Sequence, residues 1–292
     1  MKGIILAGGV GSRLFPLTAV TSKQLLPVYN KPMIYYPLTT LMLAGIQDIL
    51  IISTPDDLPR FQNLLGDGKK FGINLCYAEQ PSPNGIAQAF LIGETFISNE
   101  SCALILGDNI FYGAGLGELL HNATQNRNGA TIFVYHVENP ERYGVIEFNK
   151  DMTPIAIVEK PKQPKSHYAV TGLYFYDNNV CNLAKDLKPS SRNELEITDL
   201  NCRYLEQRQL NVKMLGRGYT WLDVGTPESL LDASNFIRII EERQNIIIAS
   251  PEEIAFVNGW IDKKDLIRSV DKYDNSKYGR YLKNIADEVI IK

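Results

Sequence analysis

The sequence predicts an α/β protein, with a three-layer core around a mixed, mostly parallel sheet and a helical segment appended at the C-terminal end. Three observations predict it. From Gly3 to Leu106 short apolar runs alternate with helical patterns, the arrangement that builds βαβ units and parallel strands. From residue 131 onward strand-like runs follow one another with short connections, which adds antiparallel pairs. Beyond Gly225 the pattern is mostly helical.

Taken in order, Gly3 to Ala7 reads as a buried strand. Pro32 opens a helical stretch with Ile34, Leu38, Leu41 and Met42 on one side and Gly45 as its stop. Strands follow at 48–53 (DILIIS), 74–78 and 102–106 (CALIL), with a helix at 86–96 before the last. The second half carries strands at 131–137, 145–148, 155–158 and 168–176, a helix at 194–206, and strands at 211–215 and 219–222. Thr226 is placed to cap a helix with Pro227 at its first position, and Leu230, Ala233, Ile237 and Ile240 give that helix one apolar face. The chain therefore divides into a core at 1–225 and a C-terminal helical segment at 226–292, packed on that core.

The 292 residues suffice for a large buried core, and 45% apolar residues with a net charge of −3 fit a globular chain. Neither a basic nor an acidic tail makes a case for nucleic acid or membrane binding. No run reaches the roughly 20 apolar residues of a membrane span. The apolar N-terminus is too short for a signal peptide and runs straight into Gly8-Gly9. Cys76, Cys102, Cys181 and Cys202 form no C-x-x-C; Cys76 and Cys102 fall in apolar strand patterns and read as buried free thiols in a reducing cytoplasm. His121, His136 and His167 lack ligand spacing, so no zinc site is expected.

The most informative segment is Gly8-Gly9-Val10-Gly11-Ser12-Arg13, directly after the first strand. Glycines there let the backbone turn sharply and present N–H groups to an anion. A dinucleotide fingerprint wants glycine at position 14, where Leu14 stands, and an acidic residue about 20 positions on. A P-loop wants Gly-Lys-Ser/Thr, which is absent. Residues 1–47 hold Lys2, Arg13, Lys23 and Lys31 and no Asp or Glu. Arg13 supplies a guanidinium fork, Lys23 lies within reach, and no neighbouring carboxylate repels a triphosphate.

Other polar segments close predicted strands, the end of an open α/β sheet where ligands bind. Gln80, in E-Q-P-S-P-N-G, has an amide able to read a base edge, and Gly85 would let backbone approach a flat ring. Asp108 follows a wholly apolar strand, and Asp223 follows Y-T-W-L. Mg²⁺ on substrate phosphates takes one or two such carboxylates, although spacing alone leaves both open to a role as a cap or turn former.

The run G-G-V-G-S-R-L-F-P-L-T with Lys23 resembles the signature of the sugar-nucleotide pyrophosphorylases, with Ser12 where many members carry Thr. R-Y-G-V-I-E-F, V-E-K-P, A-V-T-G-L-Y-F-Y-D, E-L-E-I-T-D-L-N and G-R-G-Y-T-W-L-D-V-G-T extend the resemblance over essentially the whole chain. It implies a Rossmann-like core, a homotetramer, Mg²⁺ as cofactor, and thymidylyl transfer from dTTP to glucose 1-phosphate. It implies a nucleotide site of Leu6, Gly8, Gly9, Gly11, Ser12, Arg13, Gln24, Gln80, Pro83 and Gly85. The implied sugar-phosphate site comprises Asn109, Tyr143, Gly144, Glu159, Lys160, Val170, Thr171, Gly172 and Tyr174, and the metal falls to Asp108 and Asp223. Arg13 and Lys23 would act on the leaving pyrophosphate and Lys160 on the attacking sugar phosphate.

The chain departs from the family at two further positions. P-E-E-I-A-F resembles a segment of a second, regulatory nucleotide site, but Val257 follows where Arg is common. Losing that guanidinium weakens phosphate binding, so feedback inhibition by dTDP-rhamnose is expected to be weak. Asn193 stands where Gly is usual. A relative using UTP or another triphosphate, and a non-catalytic scaffold, stay open as alternatives; an NAD-dependent dehydrogenase is disfavoured by Leu14 and the missing acid.

Overall fold

Ile4 and Ile5 are neighbours in sequence and both fully buried, which requires cover on both faces of their strand. The structure, a computed structural model, describes residues 1–9, 11–273 and 276–287. Strand β1 (Lys2–Ala7) lies inside a nine-stranded sheet. The hairpin of β2 (Pro27–Val28) and β3 (Lys31–Pro32) and helix α1 (Tyr35–Leu43) lead to β4 (Asp48–Ser53), parallel to β1. Helix α2 (Leu58–Leu65) leads to β5 (Asn74–Glu79), parallel to β4 at the edge. Helices α3 (Gln88–Ile92) and α4 (Glu94–Ile97) precede β6 (Cys102–Leu106), parallel to β1 on its other side.

The remaining strands make the sheet mixed, as expected. Strand β7 (Asn109–Gly113) leaves the main sheet, and α5 (Leu116–Thr124) and β8 (Ala130–His136) follow it. Strands β9 (Gly144–Phe148) and β10 (Pro154–Glu159) form an antiparallel hairpin. Strand β11 (Tyr168–Tyr176) runs antiparallel to β6, β8 and β9. Helices α6 (Val180–Lys185) and α7 (Ile197–Glu206) are followed by β12 (Leu210–Leu215), parallel to β8. Strand β13 (Tyr219–Asp223) pairs antiparallel with β7 as a separate ribbon.

Two apolar layers sandwich the sheet. Ile5, Ile49, Ile51 and Ile105 face α1 and α2 through Leu38, Leu41 and Phe61. Ile4, Leu50, Ile52 and Leu104 face the other side, packing with Phe90, Ala184 and Leu200 of α3, α6 and α7. A third cluster joins Ala233 and Ile237 of α8 (Pro227–Gln244) to Val28, Tyr36, Ile110 and Val224. Thr226 caps α8 in a capping box with Ser229, with Pro227 first, as the sequence predicts. Helices α9 (Pro251–Val257), α10 (Lys263–Tyr273) and α11 (Lys277–Asp287) complete the described chain. Glu252 ties them together, accepting hydrogen bonds from the hydroxyls of Tyr273 (2.7 Å) and Tyr278 (2.5 Å).

Four expectations are corrected. Pro32 belongs to the short β2–β3 hairpin, and the helix starts at Tyr35. The helix expected at 86–96 breaks at Gly93, where a Cβ would sit 3.2 Å from Ile4 and 3.3 Å from Leu50, so the break lets the backbone press onto the sheet. Helix α7 begins at Ile197 and not at 194, because the N–H and C=O of Leu195 bond to Asn84 and Ala87, across the chain. Cys76 is exposed and not buried, since β5 is an edge strand with an open face; Cys102 is buried as expected.

A buried charge pair pins α8 to the hairpin. The Lys31 ammonium lies 3.1 Å from Oε1 of Glu241 and donates to the Ile248 carbonyl at 2.8 Å. Glu241 also accepts from Asn30 and from the backbone of Ile248. Burial pulls the Lys31 ammonium below its ordinary pKa, so it depends on this carboxylate to stay charged. Glu241→Ala should therefore cost about 3 kcal/mol in urea unfolding, as removal of one partner of a buried pair does; a cost below about 1 kcal/mol would place the pair with exposed, replaceable ones.

Candidate active site

The glycine loop leaves β1 at its carboxyl end. Gly9 has φ +94° with open space around it, and Gly11 has φ +59°, so both carry backbone that favours glycine. The Thr18 hydroxyl donates to the Gly11 carbonyl at 3.0 Å and closes the loop's far side. Leu14, the residue that breaks the dinucleotide pattern, is buried and anchors the short turn Ser12–Leu14 in the core. Arg13 and Ser12 are exposed. The Arg13 guanidinium lies against Gly225, where a Cβ would be 3.2 Å from Nη2. Gly8 is glycine for a different reason: a Cβ there would run into the Gln80 amide oxygen. The two loops after β1 and β5 thus meet, and Gln80 is fixed by a 2.8 Å hydrogen bond to Gln88.

Space changes the meaning of the acid-free stretch. Lys2 pairs with Asp48 and Glu100, and Lys31 with Glu241, so neither serves the loop. Lys23 stands on a turn capped by Ser22 and is ion-paired with Oδ2 of Asp108. Gln24 is buried, with its amide oxygen taken by the Ser22 hydroxyl at 2.6 Å. Leu6 gives its carbonyl to the Gly107 N–H, which sets the start of the Asp108 turn. Pro83 is exposed beside the Gln80 loop. At Gly85 (φ +104°) a Cβ would collide with the backbone of Leu195, so the approach this glycine permits is to another chain segment rather than to a flat ring.

Asp108 and Asp223 are brought together by the β7–β13 ribbon. Asp223 lies opposite Asn109, and the Val224 N–H donates to the Asp108 carbonyl at 3.0 Å. Burial, and next the charge of Asp108, push the Asp223 carboxyl up to about 6; Lys23, Arg13 and Arg142 oppose the rise. Two carboxylates sharing a partly buried site are a hard-oxygen donor set of the kind that holds Mg²⁺ together with phosphate oxygens.

A cavity of about 460 Å³ extends from these carboxylates towards β9, β10 and β11. Lys160 lies on its wall with its backbone at φ +43° and its N–H donated to the Tyr143 carbonyl at 2.9 Å. Its ammonium is 3.6 Å from Oε1 of Glu159. Glu159 accepts from the Thr198 hydroxyl at 2.6 Å and from Arg192 at 3.1 Å. A Cβ at Gly144 would stand 2.9 Å from the Thr198 hydroxyl, so glycine keeps this rim open. Tyr143 rests edge-on against Trp221, with ring centroids 5.1 Å apart, and burial raises its phenol pKa. Tyr174 is buried, and burial keeps its hydroxyl protonated as a donor.

Not every residue implied for the sugar site offers a side chain to the cavity. Val170 and Gly172 line it, but Thr171 is fully buried with its hydroxyl on the Phe133 carbonyl. Asn109 also lines the cavity, although it is 1% exposed and its amide oxygen and nitrogen are both engaged. Sequence reasoning missed Arg142, Arg192, Glu196 and Thr198, which also line the cavity. Arg192 and Glu196 are joined at 2.7 Å within the charged run R-N-E-L-E, which overlaps the family-like run E-L-E-I-T-D-L-N, and that overlap was the available signal for Arg192, Glu196 and Thr198. Arg142 opens the family-like run R-Y-G-V-I-E-F, and that run was its signal.

Near α9 a separate cavity of about 300 Å³ is lined by Tyr36, Phe111, Tyr112, Ser250 and Glu253 among others, with no Lys or Arg among its described lining residues. Burial pushes Glu253 up to about 7. Val257 ends α9 and is 42% exposed.

Residues 2–239 match the family model described as Nucleotidyl transferase. The glucose-1-phosphate thymidylyltransferase of Neisseria gonorrhoeae is 58% identical over 282 residues, covering 97% of this chain and 98% of that protein. The protein of that name from Mycobacterium tuberculosis (strain ATCC 25618 / H37Rv) is 54% identical over 98% of this chain and 99% of its own length. Among solved structures, a Bacillus anthracis chain described as a glucose-1-phosphate thymidylyltransferase superposes with a TM-score of 0.76 at 44% identity, covering 82% of this chain and 95% of that one. A UDP-glucose pyrophosphorylase at 24% identity and TM-score 0.72, covering 82% and 98%, shares the fold. With the glycine loop, paired carboxylates and cavity held in one fold, and relatives matching nearly end to end, the chain belongs to the nucleotidyl transferase family, in the group of the glucose-1-phosphate thymidylyltransferases.

Proposed function

We propose that the protein transfers the thymidylyl group of dTTP to glucose 1-phosphate, giving dTDP-glucose and pyrophosphate, the first step towards dTDP-rhamnose and related deoxysugars. The relatives' names support the reading. One observation carries it: Asp108 and Asp223 adjoin between two cation sets, Arg13 and Lys23 on the glycine-loop side and Lys160 and Arg192 across the cavity.

A phosphate oxygen of glucose 1-phosphate attacks the α-phosphorus of dTTP. The new bond joins that oxygen to phosphorus, the bond to the bridging oxygen breaks, and pyrophosphate departs with the electron pair. The nucleophile is already anionic, so the step depends on positioning and charge and needs no general base. Arg13 receives the charge developing on the leaving group. Lys23, ion-paired with Asp108, supports it. Lys160 and Arg192 orient the attacking phosphate, while Glu159, Tyr143 and the backbone at Gly144 meet sugar hydroxyls. Gln80, held in place by Gln88, reads the base edge. Asp108 and Asp223 would hold Mg²⁺, which neutralises phosphate charge when bound.

The proposal extends to a homotetramer, supported by the exposed apolar side chains Leu231 and Ile239 on α8. It also extends to a reducing cytoplasm, supported by four free cysteines; among the described residues no helix is long and apolar enough to cross a membrane.

Pyrophosphate release measured over a panel of dTTP, UTP, CTP and GTP with several sugar 1-phosphates should give the highest kcat/KM for dTTP with glucose 1-phosphate. Absence of turnover, or preference for another pair, would overturn the assignment. The Asp223 carboxyl gives a second expectation. Its pKa of about 6 in the fold lies above its ordinary 3.8, so the fold binds this proton more tightly than the unfolded chain does. Ionisation as pH rises through about 6 therefore lowers stability. Asp223→Asn should stabilise the metal-free protein at pH 8 by on the order of 2 kcal/mol, and thermal melts should show that gain vanish at pH 4. Equal gains at both pH values would refute the strained carboxyl. Titrating dTDP-rhamnose against the rate should give weak inhibition, given Val257; inhibition at concentrations comparable to the dTTP KM would contradict that.

A further inference from the structure

We propose that Asn109 and Trp221 are positioning residues whose hydrogen bonds fix the Asp108 carboxylate in the orientation that receives a divalent cation. The inference rests on the reading of Asp108 and Asp223 as metal ligands. It assigns Asn109 a task other than contact with the sugar.

The Asp108 carboxylate has two oxygens and two partners. Oδ2 meets Lys23, and Oδ1 accepts from Nδ2 of Asn109 at 3.0 Å. What makes Asn109 a fixed partner lies on its other side. Its Oδ1 accepts from the Gly172 N–H at 3.0 Å and from the indole N–H of Trp221 at 2.6 Å. Both of these groups are donors only, so turning the amide over would set its NH₂ against two N–H groups. Nδ2 is thereby compelled to face Asp108, and at 1% exposure no solvent competes for it.

The chain is shaped around this contact. The pairing of β11 with β8 slips between Val170 and Tyr174, and that irregularity coincides with the residues that turn the Gly172 N–H to Asn109. Gly172 has no room for a side chain: a Cβ would lie 2.6 Å from Oδ1 of Asn109 and 2.8 Å from Leu106. The Trp221 ring is held by edge contacts with Tyr143 and Tyr135. Trp221 and Asp223 are two residues apart on β13, so they face the same side of the strand. One ribbon thus supplies one carboxylate directly and orients the other through Asn109. Partners of metal ligands in such positions are known to tune affinity as well as geometry.

A purely structural amide would change stability without changing metal affinity, and this separates the two roles. Mn²⁺ binding to the full-length protein without nucleotide is followed by electron paramagnetic resonance, alongside thermal melts. Trp221→Phe keeps an aromatic ring, though a smaller one, and removes the donor; Gly172→Ala leaves Trp221 in place and displaces Asn109. Each should weaken Mn²⁺ binding roughly tenfold, the lower end for loss of such a partner, and raise the Mg²⁺ concentration for half-maximal rate in parallel. Tyr135→Phe, which removes the hydroxyl that donates to the Tyr219 carbonyl beside Trp221 and keeps the ring contact, should leave Mn²⁺ affinity unchanged. Unchanged affinity in both Trp221→Phe and Gly172→Ala, with Asp108→Ala still abolishing binding, overturns the positioning role alone. Mn²⁺ binding that survives Asp108→Ala, or is absent from the wild type, overturns the metal reading on which it rests.

Discussion

Two carboxylates held side by side in a partly buried cavity are the constraint on which the rest of the site depends. Asp108 and Asp223 repel each other, and burial removes much of the water that would screen them, which is why Asp223 ionises only near pH 6. Lys23 and Arg13 offset part of that charge, and the backbone bond from Val224 to Asp108 keeps the two from separating. The arrangement stores an electrostatic demand for positive charge, which a metal ion with phosphate oxygens is suited to meet.

The sheet distributes the remaining tasks. Its parallel half, β6-β1-β4-β5, ends in the glycine loop and the Gln80 loop, both at the carboxyl ends of strands and in contact through Gly8. Its antiparallel half supplies β9, β10 and β11, whose residues form the wall of the cavity carrying Lys160, Glu159 and Tyr143. The carboxylates fall between the halves because β6 is the strand where parallel neighbours give way to antiparallel ones. The C-terminal helices reach this centre only indirectly. Helix α8 is fastened to the β2–β3 hairpin by Lys31 and Glu241, and that hairpin follows the Lys23 turn within four residues.

Glycines illustrate how one residue type answers several demands. Gly9 and Gly11 are set by backbone angle, Gly8 and Gly172 by a neighbouring amide, and Gly85 by a crossing backbone. From the sequence all five look like loop formers or ligand contacts, because the absence of a side chain carries no record of what fills the space.

The sequence by itself determined the strands of the parallel half, the cap of α8, the glycine loop and the identity of most chemical groups at the site. These depend on local periodicity and on backbone needs that one short segment expresses alone. It also carried the family, through motifs spread along the whole chain. Tertiary structure decided the rest: that Asp223 meets Asp108 across 115 positions, that Lys23 rests on an acid where the surrounding sequence has none, that Cys76 is exposed, and that Asn109 turns inward to Trp221. Each of these follows from a register between distant strands or from which edge a strand occupies. Such pairings are fixed by the packing of the whole sheet, and no local pattern of residues encodes them.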